Sequence, residues 1–200
     1  MDPREAMAQV EEIREQLARA ESFRAFRAAS TAYTGMLALF GAAIQSHWQL
    51  NDAHSFMVLW ISVAAVNVVI VGTEMKLRIL SSDSILTRDA TILAARQFVP
   101  CVVAGALLTL TIRRCAPEAT RLLPGLWAIL FSLGIFASRP GLPRAINFAG
   151  AYYMLCGLFL LATAPQGEFE TWPMPLSFGV GQLLISLILF LSSHNERNHE

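Results

Sequence analysis

Residues 55–74 read SFMVLWISVAAVNVVIVGTE, and the fold follows from them. The stretch holds one charged residue, Glu74, and it stands at the end. About 17 to 25 mostly apolar residues cross the hydrocarbon core of a bilayer as a helix. Within lipid the backbone has no water to bond, so a helix, which pairs its own N–H and C=O groups, is the segment that fits.

Working outward, five more stretches have this character, approximately Thr31–Trp48, Gln97–Ile112, Leu122–Ser138, Ile146–Ala164 and Pro175–Ser193. Composition agrees: 54% of residues are hydrophobic and 15% charged, against roughly 25% charged in an ordinary soluble domain. A soluble chain of this size would lack the polar surface to cover its core. The expectation is an all-α, polytopic integral membrane protein. A cytoplasmic amphipathic arm over residues 1–28 precedes a six-helix transmembrane domain over 29–200. The third span looks short, but Ser84 suits the N-cap of a helix running through Arg88, Asp89 and Arg96 into the membrane.

Basic residues orient the chain. Five arginines lie in the arm, Lys76, Arg78, Arg88 and Arg96 follow span two, Arg139 and Arg144 follow span four, and Arg197 lies in the tail. That places twelve basic residues on one side, against Arg113, Arg114 and Arg121 on the other. The bias predicts both termini in the cytoplasm. Trp48, Trp60, Trp127 and Trp172 then all fall toward the outer face, where an indole has an apolar ring in lipid and a wet N–H. Lys76 is the sole lysine, an arginine bias associated with GC-rich bacterial genomes. The expected location is therefore the plasma membrane of a bacterium, its inner membrane. The acid-bearing start does not resemble a cleavable signal.

In the arm, Asp2 and Pro3 suit a helix start. Ala6, Val10, Ile13, Leu17 and Ala20 recur at helical spacing. Its net charge over residues 1–28 is −1. Anionic headgroups attract basic helices, so the apolar stripe is expected to dock on protein, by partner binding or self-association. Zero net charge over the chain gives no reason to expect nucleic acid. The lipid bilayer itself is an expected partner.

Few groups offer chemistry. Asn67 and Glu74 lie seven apart on one face of span two, with Trp60 seven earlier. Such a stripe fits ion or proton handling. The simpler and favoured reading is an Asn67 that hydrogen-bonds a neighbouring helix and a Glu74 at the inner interface, beside Lys76 and Arg78 and facing Arg96. Gln182 in span six reads as interhelical glue. His47 and His54 flank the first external hairpin with Asp52 between them. Imidazole and carboxylate suit zinc or copper, but seven-residue spacing without a fixed third ligand favours two interfacial histidines. Neither lies where a haem ligand would. Cys101, Cys115 and Cys156 have neither disulfide nor zinc spacing. No phosphate loop, dinucleotide fingerprint, zinc-protease motif or nucleophile elbow occurs. No catalytic residue and no cofactor or metal is therefore expected.

Pro124 should open span four, and Pro100 and Gly105 should bend or thin span three. Gly134, Gly150, Gly157, Gly179 and Gly181 should mark close helix packing. FVPCVVAGALLT (98–109) loosely resembles FGVGQLLISLIL (178–189), the sort of likeness an inverted repeat leaves and short apolar strings also share by chance. Two functions fit: a membrane-embedded interaction, regulatory or accessory subunit, and a small-molecule or ion carrier. The sparse intramembrane polarity favours the first.

Overall fold

The computed structural model describes residues 28–81, 85–138, 145–164 and 169–197. The arm's apolar stripe and the PGLPR turn lie outside these residues. Every regular element described is helical. They are α1 (28–48), α2 (Ala53–Ser81), α3 (Ile85–Cys115), a 3-10 turn (Pro117–Leu122), α4 (Leu123–Ala137), α5 (Ile146–Ala162), a π-helical segment (Pro175–Val180) and α6 (Gly181–Arg197).

Among the described residues, four segments are long and apolar enough to cross a membrane: Ala53–Leu77, Ala95–Cys115, Pro117–Ala137 and Pro175–Ser192. α5 is apolar but shorter, at 17 residues. α1 carries Thr31, Thr34, Gln45 and His47 among its apolar residues and is not among the four.

Helix ends do not follow hydropathy. α2 has 29 residues and α3 has 31. At 1.5 Å per residue these rods are about 45 Å long, against a hydrocarbon core of about 30 Å. In the connection expected between Glu74 and Gln97, the described residues 74–81 and 85–97 are helical, as parts of α2 and α3. Residues 74–81 contain no proline or glycine to stop α2, so its hydrogen-bond ladder outlasts its apolar surface. Pro100 stays inside α3. The N–H it lacks would have met the Arg96 carbonyl, at the start of the apolar part of the helix. Pro124 lies in the first turn of α4, as its position predicts.

Consecutive helices pack on one another, and α4 against α5 is the most extensive contact. α1 closes the arrangement, with Gly35 against Gly179, Gln182 and Leu183 and Gly41 against Trp60 and Val63. Ser186 on α6 also donates to the Ala28 carbonyl at 2.7 Å. Of the apolar window of α3 only 6% is buried, against 44% of the Pro117–Ala137 segment. α4 is thus central, and α3 turns Val99, Val102, Val103, Leu107 and Leu110 outward.

The expected glycine packing holds at all five positions. A Cβ on Gly157 would lie 2.8 Å from the Gly125 carbonyl oxygen, so α4 and α5 touch backbone to backbone. Gly134 seats Phe98, Gly150 seats Phe136, Gly179 seats Leu39 and Gly181 seats Tyr153. Where lipid is as apolar as leucine, this close van der Waals fit is a main source of helix association.

Two apolar clusters fill the bundle. One joins Ala28, Ala128, Ile135, Ile146, Ala149, Tyr153, Ile185 and Leu189. The other gathers Ala38 of α1, Phe56, Met57 and Trp60 of α2, Leu123 of α4 and Met174, with Ile112 of α3 and Phe169 alongside. The end of α1 meets the start of α2, and the end of α3 meets the start of α4. Successive helices therefore alternate in direction.

Candidate functional site at the aromatic end of the bundle

The second cluster carries the densest polar bonding in the described chain, and its centre is Gln45. Ala38, Gly41 and Gln45 fall at spacings of three and four on α1, so Gln45 belongs to the face packed on α2. It is fully buried. Its Oε1 accepts the Trp60 indole N–H at 2.9 Å. Its Nε2 lies 3.4 Å from the carbonyls of both Phe169 and Glu170, two long bonds that share one amide. One side chain thereby ties together α1, α2 and the segment before the last helix.

The backbone around it is built for the same purpose. Gln49 adopts φ 48°, in the left-handed region. This lets the Leu50 N–H return to the Gln45 carbonyl at 3.0 Å, the six-to-one bond of a Schellman cap. The chain then reaches Asn51, whose carbonyl accepts the Phe169 N–H at 2.9 Å. Asp52 caps α2, its Oδ1 accepting the backbone N–H groups of His54 at 3.1 Å and Ser55 at 3.0 Å. Hydrogen bonds to Ser55, and then to His54, hold the Asp52 carboxyl below its usual range. Phe56 stacks on Phe169 with ring centroids 4.3 Å apart.

Beside this knot lies an open depression lined by Asn51, Phe169, Glu170, Thr171 and Trp172. Trp172 donates its indole N–H to Glu170 Oε2. Asn51 Oδ1 is shielded from solvent and has no hydrogen-bond partner. Further in, Trp127 donates to Thr109 Oγ1 at 2.8 Å and so joins α4 to α3.

The sequence-predicted candidates are not brought together here. Asn67 is half-buried on α2, and its Oδ1 lacks the neighbouring-helix partner expected of it. Glu74 is half-buried near the end of the apolar part of α2, and Arg96 is exposed on α3. Gln182 is half-buried against Gly35 at the α1–α6 contact. His47 and His54 are both exposed, and His47 packs edge-on against Trp48. Among the described residues, no three of His, Cys, Asp and Glu gather as a metal site.

A second polar feature lies deeper. The π-helical turn opens the backbone ladder, and the Leu176 carbonyl in it accepts the Tyr152 hydroxyl at 2.5 Å. Tyr153 is fully buried among Phe131, Phe178 and Gly181, and its hydroxyl has no partner. Ser132 instead donates to the Gly150 carbonyl at 2.7 Å, adding a polar tie to the α4–α5 contact.

Comparison with family models, with curated proteins and with solved structures finds no match.

Proposed function

We propose that this chain is a bacterial inner-membrane protein whose six helices all cross the bilayer, with both termini in the cytoplasm, and that it acts as an embedded interaction, regulatory or accessory subunit. One observation supports this reading above the others. Three of the buried polar side chains in the described core tie one helix to another, Gln45 with Trp60, Thr109 with Trp127 and Ser132 with Gly150, and Tyr152 adds a more exposed tie to Leu176. A bundle closed by such ties, with glycines seated against rings, is suited to presenting surfaces more than to opening a path. The amphipathic stripe of the arm, Val10, Ile13 and Leu17, supplies the surface. An isolated helix of that length is marginal in water and needs something to bury against.

Purification of the tagged full-length chain in mild detergent tests this. The intact chain is expected to carry a partner, either a second copy or another protein. That partner should be lost when residues 1–28 are removed, and when Val10, Ile13 and Leu17 are all replaced by Ser, while the spans still insert. Identical partners and protease resistance in all three proteins would overturn the reading.

The carrier reading keeps one observation in its favour, the unpartnered Asn67 Oδ1 inside an apolar span. Unsatisfied polar groups are costly there and mark pathways in many membrane proteins. It predicts an ion or solute flux in proteoliposomes that Asn67→Leu abolishes.

A further inference from the structure

We propose that the depression beside the Gln45 knot binds a primary ammonium group, from a free amine or from an ethanolamine lipid headgroup. The lining residues carry acceptors and no cationic side chain. Asn51 Oδ1 is already desolvated and unpartnered. Glu170 is exposed, and no described Arg, Lys or His forms an ion pair with it. Its Oε2 accepts from Trp172, which fixes the carboxylate and leaves Oε1 for an incoming donor. Phe169 and Trp172 line the same space, and aromatic rings attract cations through their quadrupoles. An ammonium supplies what this set lacks: positive charge with several N–H donors on one atom. A carboxylate or phosphate would meet the charge of Glu170 and the Asn51 Oδ1 acceptor, which disfavours anions.

The backbone around the acceptors is fixed independently of any ligand. The Asn51 carbonyl holds Phe169, the Glu170 carbonyl is tied to Gln45, and Phe169 stacks on Phe56. The site therefore needs only side-chain adjustment. Its openness means that water competes, so binding is expected to be weak, with a Kd on the order of tens of millimolar.

The test uses the full-length chain in detergent and reads tryptophan emission during titration with ethylammonium chloride. Tetramethylammonium chloride and sodium chloride at equal ionic strength are the controls. Ethylammonium is expected to give a saturable change that neither control gives, since tetramethylammonium has charge but no N–H. Glu170→Gln and Asn51→Ala should each weaken it about five-fold or more, with circular dichroism and melting unchanged, and Trp172→Phe should remove the signal. Repeating the titration in nanodiscs separates the sources. A response lost in phosphatidylethanolamine but kept in phosphatidylcholine assigns the site to the headgroup. A response kept in both assigns it to a soluble amine. The proposal fails if ethylammonium behaves as sodium does, or if both the Glu170 and Asn51 variants respond like the parent.

Discussion

Trp60 donates its indole N–H to Gln45 Oε1 at 2.9 Å, with both side chains almost wholly enclosed. Removing one partner strands the other without water. Gln45→Leu keeps the volume but leaves the Trp60 N–H and two carbonyls short of a bond. A buried polar group left unpaired costs about 1 to 3 kcal/mol. Melting in detergent should show that loss for Gln45→Leu. The double variant Gln45→Leu, Trp60→Phe should cost less than the two single effects added, because it removes donor and acceptor together. Strict additivity would show that the pair is not coupled.

Gly157 and Gly72 are expected to respond in opposite directions to the same change. A Cβ at position 157 would meet Ile129 Cγ1 at 2.7 Å and the Gly125 oxygen at 2.8 Å, and backbone cannot step aside cheaply. Gly157→Ala should cost about 1 to 3 kcal/mol, the usual effect of overpacking. Around Gly72 nothing lies within 4 Å of such a Cβ. There the alanine only reduces the freedom of the unfolded chain, for a gain of about 0.5 to 1 kcal/mol. Thermal unfolding of the two variants in one detergent checks both signs.

The cap on α2 carries a pH dependence. Ser55 and His54 bond the Asp52 carboxylate and hold its pKa below the ordinary value of 3.8. A depressed folded-state pKa gives stability that is complete above the unfolded value and is lost as pH falls through the folded one. Protection against hydrogen exchange at residues 53–56, taken relative to the intrinsic rate at each pH, should therefore be full at neutral pH and fall below about pH 4. In Asp52→Asn, which can still cap but cannot titrate, the fall should vanish. If it persists, another group controls the fraying.

How far the sequence announces this structure depends on the range of each interaction. Gly157 and its fellows are legible because small residues in apolar helices have few other uses. Gln45 is not among the residues that the sequence singles out, although its spacing from Ala38 and Gly41 is a signal that places it on the packed face of α1. What is not visible is that its amide meets the carbonyl of Phe169, 124 positions away. Nothing local to PQGEFETW points at HWQLND. The depression shared by Asn51 and Glu170 is hidden for the same reason. The length of α2 escapes a hydropathy reading on different grounds. Lipid decides where an apolar surface ends, whereas capping and breakers decide where a helix ends.

The last prediction concerns which way the bundle faces. Alternation of direction sets Trp60, Trp127 and Phe169 at one end. Arg113, Arg114 and Arg121 flank that end in the chain, and the other twelve basic residues belong to the opposite connections and termini. Translocation of a short loop is resisted by its Lys and Arg content, so the richer side stays in the cytoplasm. Reporter fusions at Leu50 and Gly167 are therefore expected to behave as external, and one at Ser82 as internal. α1 is not among the four segments long and apolar enough to cross, and the apolar α5 has 17 residues, so these two are where a four-span alternative would differ. Without α1 in the membrane, Leu50 would report as internal while Ser82 reported as external, inverting the pattern. An external Ser82 would also move the aromatic end, and the Glu170 carboxylate with it, to the cytoplasmic face. The three fusions thus fix the span count and the side of the depression in one experiment.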